Sequence, residues 1–119
     1  MNYNGFFLRI DSIGISSWYK TWNNVHVRSV IQTDDENIVA GCSFRYEGFY
    51  NSLAFKFSID DGSKIWSKLV GDEDWESNAS DIIELSDNSL VLFGNTRKST
   101  GFYYIMMSKL NSDGTWSNE

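Results

Sequence analysis

Over residues 55–60 apolar and polar side chains alternate: Phe55, Phe57 and Ile59 fall between Lys56, Ser58 and Asp60. A period of two marks a strand with one face buried. The run stops at Asp60-Asp61-Gly62, where carboxylates can accept from nearby backbone amides and glycine tolerates positive φ. A β-favouring run reopens at Ile65-Trp66 and reaches Val70, so the stretch reads as a hairpin. The same hairpin occurs earlier, with Ile10-Asp11, Trp18 and Lys20 in the places of Ile59-Asp60, Trp66 and Lys68. A third copy opens near the end of the chain, where Lys109-Leu110 and Gly114 repeat Arg9-Ile10 and Gly14.

A second kind of hairpin lies between these copies. Val30, Asp35 and Gly41 recur as Ile82, Asp87 and Gly94, around acidic turns at Asp34-Asp35-Glu36-Asn37 and Ser86-Asp87-Asn88. The two kinds alternate, so four strands recur about every fifty residues, a period typical of propeller blades. With strands lettered A to D within a blade, the pattern predicts A at 28–33, B at 37–43, C at 52–60 and D at 64–70. The next blade has A at 80–86, B at 89–95, C at 103–111 and a short D from 115. Residues 6–11 and 15–22 are C and D of a preceding blade. The chain thus divides into a leading hairpin over 1–23, a complete blade over 24–71 and a nearly complete one over 72–119. The fold expected is all-β, a partial β-propeller of four-stranded antiparallel meanders. The runs are too short and too β-branched for amphipathic helices.

Composition narrows the function. The 119 residues carry a net charge of -6, and the ten basic residues are scattered, with Arg97-Lys98 the only adjacent pair. Nucleic acid is therefore not an expected partner, since phosphate neutralisation needs clustered cations. No apolar run approaches the length of a membrane span, so membrane insertion is not expected. The first twelve residues lack the basic start, apolar core and small-residue site of a signal peptide, and the compartment stays open. Cys42 is the only cysteine, so no disulfide can form within the chain.

The stretch "AFKFSIDDGSKIWSK", followed by a Gly-Asp loop and then "SDIIELSDNSLVLFGNT", resembles bacterial β-propeller repeats of about fifty residues. In that family a pattern like Lys-Leu-Asp-x-x-Gly-x-x-x-Trp precedes an apolar strand, an acidic turn and an apolar strand ending in glycine. The order is also similar to a kelch-like blade, with glycine after strand B and tryptophan on strand D. Two departures stand out: each B strand ends in one glycine rather than two (Gly41, Gly94), and Trp116 sits closer to its turn than Trp18 or Trp66. The resemblance covers nearly the whole chain. It implies a non-enzymatic binding or structural module for protein or carbohydrate partners, at the cell surface or secreted, next to neighbouring blades of a longer chain or a homo-oligomer. A lectin-like sugar- or calcium-binding propeller is one alternative. A hydrolase whose catalytic residues lie outside this chain is another.

Single residues add little chemistry. His26 and Cys42 could suggest a thiol nucleophile or a metal site, but each lacks the further ligands or orienting group that such sites need. Asp34-Asp35-Glu36 and Asp60-Asp61 read as turns. Asp72-Glu73-Asp74 sits in a longer loop and is the better calcium candidate, though it matches no twelve-residue calcium loop. No catalytic residue, metal site or cofactor is expected. Recurrence of Trp18 and Trp66 favours packing between blades. Asn78-Ala79-Ser80 matches a glycosylation sequon and is read as incidental. In a meander the B–C and D–A loops share one end of the blades, and here they are the longer, aromatic ones. That end gathers Arg45, Tyr46, Tyr50, Trp75 and Arg97, a mixture enriched in binding hot spots.

Overall fold

The computed structural model describes residues 4–71, 75–98 and 101–117. Among them the chain is all-β, with three antiparallel sheets and no helix. Strands β1 (Asn4–Ile10) and β2 (Ser16–Asn23) form the first sheet. Strands β3 (Val25–Gln32), β4 (Ile38–Tyr46), β5 (Phe49–Phe57) and β6 (Lys64–Leu69) form the second, in sequential order. Strands β7 (Trp75–Glu84), β8 (Leu90–Lys98) and β9 (Tyr104–Leu110) form the third. A single bridge between Leu110 and Trp116 stands where a fourth strand was expected.

The tight turns form as the acidic residues predict. Asp35 accepts from the Thr33 hydroxyl at 2.6 Å and from the Asn37 amide at 3.1 Å. Asp61, Asp87 and Asp113 each accept from the amide two residues on, at 3.0 Å. The hydroxyl of that same residue also donates to each. These bonds hold the three carboxyls below the usual carboxylate range.

The opposite end differs from expectation. The predicted B–C loop at 44–51 contracts to a turn at Glu47-Gly48, whose φ angles are 50° and 86°. Two successive positive φ values match the twist of the flanking strands, so β4 and β5 stay paired out to Tyr46 and Phe49. Asn24, at φ 60°, similarly joins β2 to β3 within one residue. Strand β7 starts at Trp75 and β8 runs to Lys98. Gly41 and Gly94 accordingly lie inside β4 and β8, not at their ends.

The sheets stack face on face, and the second lies between the other two. Its β5 is buried on both sides. Leu53, Phe55 and Phe57 join Phe7, Trp18 and Trp22 of the first sheet in one core. Ala54 joins Ile82, Leu90, Leu92, Met106 and Leu110 of the third sheet in the other. Full burial of each such aliphatic side chain contributes about 1.5–3 kcal/mol. Lys56, expected on a solvated face, is instead 6% exposed, and its Nζ lies 2.6 Å from Asp35 Oδ2. A third sheet stacked on that side covers it, and the Asp35 charge offsets its burial.

Two features of the repeat emerge only in the fold. Pairing slips by one residue between Val27 and Ser29 and between Ala79 and Asp81, so Arg28 and Ser80 are bulged at corresponding places on β3 and β7. The tryptophans are not all equivalent. Arg9 pairs with Trp18, and Lys56 with Trp66, but Trp116 pairs with Leu110 and faces the second sheet under the Lys68 ammonium. It therefore holds the place of Ser16 and Lys64, which pair with Ile10 and Phe57. By the same pairing the counterpart of Ile10 is Phe57 rather than Ile59, because the 58–63 turn has one residue more.

Candidate binding groove

The five residues singled out from the sequence lie at one end of the sheets, but on strands rather than loops. Arg45 and Tyr50 are paired across β4 and β5, with the guanidinium carbon 5.8 Å from the Tyr50 ring centre. His26 on β3 meets the same ring edge-on, with ring centres 5.6 Å apart. Burial, Arg28 and Arg45 together lower the His26 pKa. The Tyr46 side chain lies outside the described residues.

On the third sheet Trp75 opens β7 and packs against Tyr104, ring centres 5.9 Å apart. Arg97 pairs across the strands with Glu76, its Nε 3.1 Å from Glu76 Oε2. Its guanidinium also lies 4.9 Å from the Tyr103 ring centre. The structure thus pairs Arg45 with Tyr50, sets Arg97 beside Tyr103, which was not among the predicted residues, and leaves Trp75 on a neighbouring strand end. Arg–aromatic stacking of this kind presents planar donors at low conformational cost.

Beside these pairs is a groove that the sequence did not indicate. It has a volume of about 420 Å³ and is lined by Arg28, Asn78, Ala79, Ser80, Asn95 and Tyr103. Bulges position it: Arg28 and Ser80 are both bulged, each displaced from the regular alternation of its edge strand. Asn78 and Asn95 are paired across β7 and β8. The described lining offers a guanidinium, two amides, a serine hydroxyl and a phenol, with no carboxylate among them. Arg28 is the one charged group in this described lining. Nothing in the sequence marked it, because the place where a strand takes up an extra residue is set by its pairing with the neighbouring strand.

Comparison with known proteins returns no match. No family model, curated protein or solved structure is significantly similar to the chain.

The remaining candidates lose ground. Val27 pairs with Cys42 and His26 with Ser43, so His26 and Cys42 point to opposite faces of the second sheet. Cys42 is fully buried, which pushes its thiol up to about 12 and keeps it protonated. No three His, Cys, Asp or Glu side chains gather to hold a metal among the described residues. The calcium candidate Asp72-Glu73-Asp74 lies outside them. Asn78 is half-buried within β7, a poor site for glycosylation. No helix among the described residues is long and apolar enough to cross a membrane.

Proposed function

We propose that the chain is a segment of a β-propeller and acts as a non-enzymatic binding module. Support for the propeller comes from the fifty-residue period, the sequential meander of the second sheet and the face-on stacking of successive sheets. The groove at Arg28, Asn78, Ser80, Asn95 and Tyr103 carries the binding reading. A guanidinium, paired amides and hydroxyls with an aromatic at the side suit a ligand rich in hydroxyl or carboxylate groups. A carbohydrate, neutral or acidic, is the first candidate. Arg45–Tyr50 and Arg97–Tyr103 at the same end extend the surface for a larger partner.

The test is an array of neutral and acidic oligosaccharides probed with the whole chain, followed by calorimetry on any binder. Arg28→Ala with Asn95→Ala is expected to weaken binding at least tenfold, the effect of about 1.4 kcal/mol. Asp61→Ala, at the opposite end of the sheets, is expected to leave it unchanged. Binding lost with Asp61→Ala and kept in the groove variant would overturn the assignment.

A further inference from the structure

The two joints between sheets share one device, and a third copy of its receiving half stands open. At the first joint the Trp18 ring lies over Gly62, where a Cβ would come within 2.8 Å of Trp18 Cε3 and 2.9 Å of Lys20 Cγ. The Trp18 indole N–H donates to the Ile59 carbonyl at 2.8 Å. At the second joint the Trp66 ring lies over Gly114, where a Cβ would meet Trp66 Cδ2 at 2.7 Å. Its indole N–H donates to the Ser112 carbonyl at 3.0 Å. Both glycines hold left-handed turn positions, at φ 74° and 86°.

Gly14 is the same glycine in the first sheet's turn, at φ 87°, and nothing lies within 4 Å of the Cβ position. The Ser12 carbonyl, counterpart of Ser112, accepts no hydrogen bond among the described residues. The surrounding face is equally open. Ile10 and Phe57 hold corresponding places, as do Leu8 and Phe55, and Phe6 and Leu53. In the second sheet these residues are 9% exposed or less, whereas Phe6, Leu8 and Ile10 are 60%, 50% and 56% exposed.

We infer that the outer face of the first sheet is the docking surface for one further repeat of this kind. That repeat precedes it on the same polypeptide, and its last strand carries tryptophan with lysine two residues on. The indole seats on Gly14 and donates to the Ser12 carbonyl, while the strands behind cover Phe6, Leu8 and Ile10. This continues the two joints already present in the chain, and it deepens the propeller-segment reading on which it rests. A second copy of the chain has no tryptophan free to take this seat. Trp18 and Trp66 are engaged at their own joints, Trp22 packs in the first core, Trp75 packs on Tyr104, and Trp116 faces its own second sheet.

The test compares Gly14→Asn in two contexts, because asparagine tolerates positive φ but fills the seat. In the 119-residue chain the substitution is expected to lower the melting midpoint by no more than about 3 °C, the strain of a positive φ alone, since the seat is open. In an extended chain, residues 25–103 precede residues 4–119. This join keeps the repeat's own spacing, because Tyr104 and Asn4 open corresponding strands. There Trp66 of the added segment meets Gly14, and Gly14→Asn is expected to lower the midpoint by at least roughly 3 °C more than it does in the 119-residue chain. Amides of β1 are expected to exchange about tenfold more slowly in the extended chain than in the original. Equal midpoint shifts in both contexts overturn the proposal, and so does an extended chain that folds less well than the original. A defined oligomer of the 119-residue chain that protects β1 identifies a second copy as the occupant and overturns it too. Oligosaccharide binding at the Arg28 groove is read on the same proteins, so failure of the seat and failure of the binding reading are told apart.

Discussion

The two joints of this stack come from one repeat yet are held by different chemistry. The joint between the first and second sheets is aromatic: Phe7, Trp18, Trp22, Phe55 and Phe57 meet ring to ring, with centres 4.6 to 5.0 Å apart at the closest. The joint between the second and third sheets is aliphatic, around Val39, Ala54, Ile82, Leu90 and Leu92, and is crossed by polar bonds. The Ser52 amide donates to Ser77 Oγ at 2.8 Å, the Ala79 amide to Ser43 Oγ at 3.2 Å, and Ser29 Oγ to Asp81 Oδ1 at 2.6 Å. A two-stranded hairpin has little backbone pairing of its own, so it leans on large rings to hold its place. A three-stranded sheet on a four-stranded one has area to spare, and small residues with serine bonds fix its register.

The largest expected effect separates the joints. Phe57→Ala removes a fully buried ring from the aromatic joint and is expected to cost about 3–5 kcal/mol. Leu92→Ala, in the aliphatic joint, is expected to cost about 2–5 kcal/mol. Hydrogen exchange distinguishes them: Phe57→Ala should release β1 and β2 ahead of the rest, while Leu92→Ala should speed exchange in β4 and β7 together. Identical exchange patterns would mean that the joints are one cooperative unit.

Trp66→Ala is expected to cost about 3 kcal/mol, because the half-buried indole packs on the second core and closes over Gly114. Trp75→Ala, at a strand end, should cost less. Both tryptophans lie on strands, so the difference rests on packing alone, and matched melting shifts would remove it. Ser77→Ala strands the buried Ser52 amide and is expected to cost about 1–3 kcal/mol. Seryl bonding that matters only at this joint would show as a smaller loss for a serine-to-alanine change on the exposed side, such as Ser16→Ala.

The smallest effect is a pH dependence at the acid end. Burial alone would raise the Asp35 carboxyl, but bonds from Lys56, Thr33 and the Asn37 amide outweigh it and hold the group well below the usual range. A carboxyl depressed in the folded state stabilises above its unfolded pKa, and that stability is lost as pH falls through the folded value. Wild-type stability should therefore decline from about pH 5 downward, more steeply than in Asp35→Asn. The Asp35 side chain is 51% exposed, so solvent screening keeps the difference modest. Parallel pH profiles for the two proteins would remove the Lys56–Asp35 contribution.

What the sequence determined was local. Asp-Gly and Asp-Asn turns, alternation along each strand and the recurrence of Trp18 as Trp66 were all legible, because turn geometry follows from bonds between a side chain and amides two residues away. These features gave the all-β class and the strand order. The stacking decided the rest. Lys56 reads as a solvated residue until a third sheet covers it, and Trp116 reads as a third copy of Trp18 until its pairing with Leu110 turns it to the other face. Arg45 and Arg97 were legible as members of one end, since a meander brings alternate connections together. That they sit on strands beside Tyr50 and Tyr103 depends on the Glu47-Gly48 turn and on the length of pairing. The Arg28 groove was hidden altogether. It exists because two single-residue bulges lie opposite one another on neighbouring sheets, and the face a residue occupies depends on the count of bulges before it, which only the assembled pairing reveals.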